Sequence, residues 1–444
     1  MYRIFKNIGG QKILLLAVSA SLAAILLSGI NYKVSAVSVK AYENMRIFTD
    51  ALATVQENYA EEVDPKALIY GAIKGMLQNL DPHSSFMPPE DYKEMQVETK
   101  GSFGGIGIEI GIRDNILTVV SPIEDTPAFK AGIKAGDKIV KINEKSTKDL
   151  SLTEAVKLMR GPKGTKVTIH IMREGFKEPK PFEIIREIIE VKSVKFKTLE
   201  DGIGYIRITQ FQERTGSDLE NALDKIGSRK ENFKGLILDL RNNPGGLLNQ
   251  AVEVSDKFLT SGMIVYTKGR VAGQEMKFEA RGDGTQPNYP MIVIVNSGSA
   301  SASEIVAGAL QDHKRAVVLG IQTFGKGSVQ TIIPLSDGSA LRLTTSKYYT
   351  PSGRSIQAKG IEPDIVVEDA KDGATKNHFR EKDLERHLEG EGAAPEKEGE
   401  KDKKIKVEEK AEKEKGEAED IQLKRAVDYL KSWYIFKDVM KKAS

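Results

Sequence analysis

The stretch LILDLRNNPGG, at residues 236–246, decides the fold. Its first part is a continuous apolar run that ends at Asp239, and its last part is a tight turn with Pro244 and two glycines. After the turn, apolar residues recur at helical spacing from Leu248 to Phe258. A strand that is apolar throughout is buried on both faces, which is typical of a parallel sheet covered by helices. The sequence therefore predicts a strand, a turn and a helix of an α/β core.

Two further stretches repeat this pattern. The apolar run 292–295 precedes the small residues NSGSASASE at 296–304, and the run 317–319 precedes TFGKGSVQ at 323–330. We therefore expect one α/β core over residues 187–368, in which three loops follow three buried strands.

The three loops contain groups that suit acyl transfer. A glycine turn at a helix N-terminus leaves backbone N–H groups free to stabilise an oxyanion. A serine hydroxyl at a helix start feels the positive end of the helix, although a serine there is often only a cap. A lysine among apolar and glycine neighbours has a lowered pKa, because burial penalises its charged form. Such a lysine can act as the base that a serine nucleophile needs.

Other chemistries fit the sequence less well. Gly320, Gly325 and Lys326 nearly form a phosphate-binding loop, but Gly327 stands where Ser or Thr is required, and a strand pattern follows. The histidines offer a rival base, but none lies in a HExxH motif, so a zinc peptidase is not supported. We interpret all five as structural or exposed: His83, His170, His313, His378 and His387. The chain has no Cys, which excludes thiolate metal sites and disulfides.

Residues 98–186 contain glycines and alternating β-branched residues, which predict a small β-rich domain. The stretch GGIGI at 104–108 can aim successive backbone N–H groups at a carboxylate. Together with AGIKAGDKI at 131–139 it resembles a PDZ domain. By this resemblance a peptide adds as a strand, and its terminal carboxylate binds the glycine turn. The resemblance gives this role to Gly105, Ile106, Gly107 and Ile108. The alternative is a spacer that binds no peptide.

Together with LRLTT at 341–345 and YYTPSGR at 348–354, the three loops resemble the C-terminal processing peptidases, with all motifs in the same order over residues 41–368. The resemblance implies a crotonase-like (ββα) protease core that works without metal or cofactor. Its substrates would be proteins or peptides with free C-termini, recognised through apolar ends and cleaved nearby through an acyl-enzyme.

The same resemblance assigns the catalytic groups. It places the nucleophile on Ser301, the general base on Lys326 and a supporting glutamine on Gln330. The oxyanion donors fall on the backbone amides of Gly246 (or Gly245) and Ala302. A catalytically idle PDZ scaffold is one alternative, which the intact serine, lysine and glutamine argue against. An acyl-CoA enzyme of the crotonase type is a second, which the PDZ domain and the export signal disfavour.

The resemblance also implies a regulatory arginine in the PDZ domain that steadies the active site once a peptide binds. Arg173 follows the strand pattern at 167–172 and is the candidate. The alternative is an exposed charge at the end of a strand.

The first 36 residues predict export. Arg3, Lys6 and Lys12 precede an uncharged apolar run at 13–30, which indicates a signal peptide or a membrane anchor. Either one places the rest of the chain in the cell envelope, in the periplasm or at the outer face of the cytoplasmic membrane. Lys and Arg number 66 against 63 Asp and Glu, so the charge gives no reason to expect nucleic acid.

The remaining regions complete the organisation. Residues 40–97 show helical periodicity, and residues 369–419 are rich in charged residues, which predicts a solvated linker. Residues 420–444 form an amphipathic helix pattern. We expect this helix to dock on the core or to join two copies of the chain as a homo-oligomer.

Overall fold

The computed structural model describes residues 39–271, 273, 275–368, 378–390 and 420–443. The predicted signal peptide or anchor at 1–36 lies outside the described residues. Within the described part, no helix has the length and apolar character needed to cross a membrane. The contacts divide the chain into two units, Met1–Ala72 and Ile73–Ser444.

The first unit contains helix α1 (Val39–Asn58) and the start of helix α2 (Pro65–Gln78). Helix α1 carries the predicted periodicity, but its apolar side chains Met45, Phe48 and Val55 are exposed.

The second unit begins with the end of α2, followed by strand β1 (Ser85–Met87) and helix α3 (Pro89–Lys100). The region 40–97, for which the sequence predicted helical structure, contains three helices and the short strand β1. Prolines explain the break, because Pro82 and Pro88 flank β1 and cannot continue a helix.

The predicted PDZ domain is an antiparallel sheet with two short helices. The sheet has the order β3-β4-β5-β7-β8, so β3 is an edge strand, and β6 pairs with β5. A buried cluster that includes Ile139, Val167 and Ile169 fills its centre. The elements are β3 (Ile108–Arg113), β4 (Ile116–Pro122), α4 (Pro127–Lys130), β5 (Lys138–Ile142), β6 (Lys145–Ser146), α5 (Leu152–Met159), β7 (Lys166–Met172) and β8 (Lys180–Ile185). Strands β2 (Ser102–Gly105) and β9 (Glu187–Glu190) pair where the chain enters and leaves the domain.

The core is built on a six-stranded sheet of order β10-β11-β12-β15-β16-β19. Strand β10 is antiparallel to β11, and the other neighbours are parallel. The strands are β10 (Val194–Thr198), β11 (Ile203–Ile208), β12 (Gly235–Asp239), β15 (Met291–Val295), β16 (Val317–Gly320) and β19 (Ile365–Val366). Strands β12 and β15 are buried at every residue, as the apolar runs predicted.

Both faces of this sheet are covered. Leu236 and Leu238 of β12 share a buried cluster with three helices, α6 (Thr215–Lys225), α7 (Leu248–Asp256) and α8 (Ala302–Asp312). Ile237, between them, faces a second cluster that contains Ala426 and Leu430 of the C-terminal helix α9 (Ile421–Ala443). Helix α9 therefore docks on the core.

The core contains a second, five-stranded sheet. It has the order β1-β18-β13-β14, and β17 also pairs with β18. Its strands are β13 (Met263–Gly269), β14 (Met276–Glu279), β17 (Ser328–Pro334) and β18 (Ala340–Tyr349). Together these sheets and helices confirm the predicted multidomain α/β fold.

Candidate active site

The three predicted loops meet at one edge of the six-stranded sheet. Strands β12, β15 and β16 are parallel neighbours that end at Asp239, Val295 and Gly320. The carboxyl ends of parallel strands lie along one edge, where ligands of α/β proteins bind. The topology thus brings the loops together.

Ser301 lies directly before helix α8 in a strained backbone conformation. Its φ is 54° and its ψ is −113°, a region that costs a non-glycine residue about 1–3 kcal/mol. The residue is 9% exposed, and its side chain lies near the hydroxyl of Tyr348. Burial raises the pKa of Tyr348 to about 12, so its hydroxyl stays protonated near neutral pH. Strain between a strand and a helix is typical of a nucleophile held at a sharp turn.

A buried carboxylate joins Ser301 to the lysine loop. Glu304 Oε2 accepts the backbone N–H of Ser301 at 2.7 Å and that of Lys326 at 3.0 Å. Glu304 Oε1 accepts the N–H of Gly325 at 2.7 Å and the hydroxyl of Thr323 at 2.5 Å. Because one oxygen binds both amides, the predicted nucleophile and the predicted base lie close together.

Glu304 has a perturbed pKa that reflects its burial. Burial raises the pKa of Glu304 to about 7, and the four hydrogen bonds oppose that rise. The sequence patterns assign no role to Glu304. Its only signal is the Ser-x-x-Glu spacing of a capping box at 301–304, which does not reveal the contacts with the lysine loop.

Lys326 lies in a partly buried setting with several charged neighbours. Burial has the largest effect and lowers the pKa of Lys326. The carboxylates of Glu381, Glu304 and Asp81 raise the pKa of Lys326 and so oppose the effect of burial. The positive charge of Arg342 lowers the pKa further. The net lowering favours the neutral amine that a general base requires.

The glycine turn supplies free amides beside Ser301. The Gly245 N–H donates to Asn243 Oδ1 at 3.0 Å. In the described part of the chain, the Gly246 and Ala302 N–H groups donate to no protein acceptor. Of the two predicted glycines, Gly246 is therefore the one with an available N–H. A Cβ on Gly245 would lie 2.8 Å from Ser301 Cβ, and φ is positive at both glycines, so side chains are excluded.

Gln330 makes no hydrogen bond to the lysine amine in this structure. Its Nε2 donates to Ser328 Oγ at 2.9 Å and to the Ser328 carbonyl at 3.1 Å. The ladder between β17 and β18 shifts register between Val329 and Gln330. The supporting role predicted for Gln330 stays a prediction.

The predicted peptide site is at the open edge of the PDZ sheet. Gly105 ends β2, Ile108 begins the edge strand β3, and Ile106 and Gly107 form the turn between them. Gly107 has a φ of 79°, and its carbonyl accepts the Thr126 hydroxyl at 3.0 Å. The edge of β3 is accessible for strand addition.

In this structure Arg173 is paired within its own domain, and the regulatory role predicted for it stays a prediction. Its Nη2 donates to Asp137 Oδ2 at 2.6 Å and to the Gly132 carbonyl at 2.9 Å, both within the same domain. Asp137 is buried, so this guanidinium compensates a buried charge instead of reaching the active site. By contrast, Arg160 pairs outside the domain with Glu94 of α3.

Part of the predicted linker belongs to the core, which is a correction. Residues 378–390, here called the strap, pack on the core through the fully buried Glu381. The two carboxylate oxygens of Glu381 lie 2.9 and 2.8 Å from His83 Nε2. The strap was missed because its many charged residues resemble a solvated segment. The rest of the predicted linker, 369–377 and 391–419, lies outside the described residues.

His313 and His387 lie beside backbone carbonyls, and His378 Nδ1 lies 3.5 Å from Ser297 Oγ in the loop that carries Ser301. His313 Nε2 lies 2.7 Å from the Met263 carbonyl, away from Ser301. Among the described residues, no group of His, Asp and Glu side chains is arranged to hold a metal ion.

Comparisons with known proteins agree with this geometry. The family model "Peptidase family S41" matches residues 202–367, "PDZ domain" matches 104–180, and "Activating protease CtpB N-terminal domain" matches 23–91. The carboxy-terminal-processing protease of Bartonella bacilliformis is 51% identical over 354 residues, covering 79% of this chain and 81% of the relative.

A second relative and one solved structure show the same similarity. The carboxy-terminal processing protease CtpA of Bacillus subtilis is 41% identical over 323 residues, covering 72% of this chain and 68% of the relative. The solved structure of a photosystem II D1 C-terminal processing protease aligns with a TM-score of 0.44 at 29% identity, covering 73% of this chain and 92% of that one.

Proposed function

Because the chain belongs to the carboxy-terminal-processing proteases of peptidase family S41, and is therefore a serine-type peptidase with a PDZ domain, we propose that Ser301 and Lys326 form its catalytic dyad. The observation that carries the proposal is the single oxygen of Glu304 that binds the amides of both residues. The free N–H groups of Gly246 and Ala302 support it.

The dyad works by acyl transfer. The neutral Lys326 amine takes the proton of the Ser301 hydroxyl as its oxygen attacks the scissile carbonyl carbon. The Gly246 and Ala302 N–H groups stabilise the negative charge that develops on the carbonyl oxygen. The Lys326 ammonium then gives its proton to the leaving amine, and an ester on Ser301 remains. Water, deprotonated by the same lysine, hydrolyses that ester and restores the serine.

The PDZ domain selects the substrate. A C-terminal peptide adds to the edge of β3, and its carboxylate meets the turn at Gly105, Ile106, Gly107 and Ile108. Helix α5 packs beside β3, and the nearby Ile108, Ile110 and Leu152 are apolar and not fully buried. This surface suits an apolar C-terminal side chain.

The enzyme acts outside the cytoplasm. This part of the proposal rests on the basic residues and the apolar run at 1–36, which are typical of a signal peptide or an anchor. Its substrates are accordingly exported proteins.

The test is the variant Ser301→Ala, assayed on an unfolded protein that ends in apolar residues. We expect cleavage to fall by about 10⁴-fold or more, because removal of a nucleophile leaves little activity, while the melting temperature is retained. Ser297→Ala, in the same loop, is the matched control and should keep its activity.

Two other serines of the loop sharpen the assignment. The Ser299 and Ser303 hydroxyls donate hydrogen bonds to the carbonyls of Leu240 and Asn243, at 2.8 and 2.9 Å. These two hydroxyls therefore have a structural role. Activity in Ser301→Ala, with inactive Ser299→Ala or Ser303→Ala proteins that remain folded, would show that the nucleophile is misassigned. A wild-type protein that binds apolar-ended peptides but cleaves none would indicate a scaffold.

A further inference from the structure

The strap, residues 378–390, lies outside the segment that matches the peptidase family, yet it contacts the loop that carries Lys326. That family match ends at residue 367. Phe324 lies two residues before Lys326, and its carbonyl accepts the N–H of Glu381 at 3.1 Å. The strap is therefore in direct contact with one side of the lysine loop.

The Glu381 side chain reaches the other side of the loop through Gln357. Glu381 Oε1 accepts the Gln357 Nε2 at 2.8 Å. Gln357 Oε1 in turn accepts the N–H of Gly327, directly after Lys326, at 3.0 Å. Both Glu381 and Gln357 are fully buried. One residue of the strap thus braces the loop before and after the lysine.

The strap is held in place along its length. Arg380 donates to the Lys359 carbonyl at 2.7 Å, and Lys347 Nζ donates to the Glu389 carbonyl at 2.7 Å. Gln357 Nε2 also donates to the Leu388 carbonyl at 3.0 Å. These contacts with the core fix the strap on both sides of Glu381, so its carboxylate has a defined position.

The charges around the lysine amine come from four elements. They are Glu381 of the strap, Arg342 of β18, Glu304 of α8, and Asp81 before β1. Asp81 is satisfied by the hydroxyls of Ser84 and Thr344, at 2.6 and 3.0 Å, and Glu304 by the loop amides. Glu381, whose carboxylate lies 2.8 Å from His83 Nε2 and accepts a hydrogen bond from Gln357, is the acidic group that the strap adds to this set.

We propose that Glu381 is a positioning residue for the peptidase reaction, which braces the Phe324–Gly327 loop and adds negative charge near the Lys326 amine. This inference rests on the proposed dyad. It makes the strap a functional part of the active site, although the family match does not include it.

The two roles predict different effects for two substitutions. Glu381→Gln keeps an oxygen that can accept from Gln357 and removes the charge. Because the carboxylate raises the pKa of Lys326 against the effect of burial, its loss should move the acid limb of kcat/KM to lower pH. Glu381→Ala removes both the charge and the brace.

The experiment measures kcat, KM and the pH profile of the full chain and its variants. For Glu381→Gln we expect a plateau kcat within about twofold of the wild type and an acid limb at lower pH. For Glu381→Ala we expect a kcat lower by up to about 100-fold with KM little changed, since the base is misplaced while the PDZ domain still binds substrate.

Glu385 provides the matched control. It is an exposed acid of the same strap, so Glu385→Gln and Glu385→Ala should leave kcat and the pH profile unchanged. A merely structural Glu381 would lower the melting temperature of both Glu381 variants and move no pH limb. An acid limb of Glu381→Gln that coincides with the wild type would overturn the inference, while an inactive Ser301→Ala would still support the dyad. An inactive wild type would instead refute the proposed function.

Discussion

At the residue scale, the active site depends on how Glu304 holds two loops together. Ser301 keeps a backbone conformation that costs about 1–3 kcal/mol, and Lys326 lies 25 residues later in the chain. The Glu304 carboxylate binds both amides and offsets this strain with charge-assisted hydrogen bonds. Its position is therefore as important to the geometry as the dyad itself.

Replacing Glu304 by Gln tests this role. The amide retains one acceptor oxygen, so a nitrogen must face N–H donors, and we expect a loss of about 1–3 kcal/mol of stability with a marked fall in kcat. The free energy of unfolding of the wild type should also decrease as the pH rises from about 4.5 to 7. The reason is that the folded carboxyl, with its pKa raised to about 7, binds a proton more tightly than the unfolded one. Urea unfolding at pH 5 and 7 measures the loss of stability and its pH dependence, and a peptidase assay measures kcat.

The matched comparison is between the two pH slopes. Glu304→Gln has no proton to release at this position, so its stability should decrease less between pH 5 and 7 than that of the wild type. Equal slopes, or a variant with wild-type kcat, would contradict the role assigned to Glu304.

The residues proposed to act in the reaction lie in loops that sequence patterns reveal, whereas most of the groups that hold these loops do not. Ser301, Lys326 and Gly246 stand in recognisable loops after buried strands. Tyr348 lies in the YYTPSGR motif, but the motif assigns it no role at the site. Glu381 has no signal of this kind, because it reaches the site through contacts that only the folded chain makes. The His83–Glu381 contact, for example, joins positions 298 residues apart.

At the element scale, the C-terminal helix α9 is tied to the strand that leads to the glycine turn. Arg241 follows β12 and donates to both oxygens of Asp420, at 2.7 and 2.8 Å, directly before α9. Asp239 also binds this arginine at 2.7 Å. Beyond this contact, Leu430 packs into the buried cluster under the sheet. The helix thus supports the strand end from which Gly245 and Gly246 leave.

Substitutions on α9 test its docking. Leu430 is 2% exposed and Trp433 is 56% exposed. Leu430→Ala should lower the free energy of unfolding by about 2–5 kcal/mol, since it leaves a cavity. Trp433→Ala removes a larger side chain but should cost less than about 1 kcal/mol. A larger loss in Trp433→Ala would show that its exposed face is buried against another chain in solution.

The buried strands were predictable and the strap was not, for one physical reason. A strand covered on both faces must be apolar throughout, so residues 236–238 and 292–295 stand out. The strap is held mainly by hydrogen bonds to individual core groups, and such contacts leave no periodic pattern in a charged segment.

At the scale of the whole molecule, the PDZ domain is an insertion joined to the core by a short pair of strands. Strands β2 and β9 pair where the chain crosses, and Lys157 and Arg160 form ion pairs with Glu90 and Glu94 of α3. Exposed ion pairs of this kind contribute only about 0–1 kcal/mol each. A bound peptide can therefore shift the domain at low energetic cost. We propose that peptide binding to the PDZ domain controls access to Ser301, which we call gating.

The gating role predicts a response to a free peptide. A peptide with an apolar C-terminus should accelerate cleavage of a reporter that lacks such a tail by about 5- to 150-fold. Gly107→Ala should abolish the acceleration, because φ is positive there and a Cβ would collide with Thr126. Gly111→Ala is the control, since its Cβ would make an ordinary contact at 3.4 Å with Val120. Equal acceleration in both variants would eliminate gating through this turn.

The most direct test of the Ser301–Lys326 dyad is covalent labelling with a fluorophosphonate, followed by peptide mapping across a pH series. We predict a single adduct on Ser301, none in Lys326→Arg, and a labelling rate that rises with pH as the lysine becomes neutral. Because burial lowers the pKa of Lys326, the midpoint of that rise should lie below the pH of about 10.4 at which an ordinary lysine titrates. An adduct on another residue, or labelling of Lys326→Arg at the wild-type rate, would contradict the dyad.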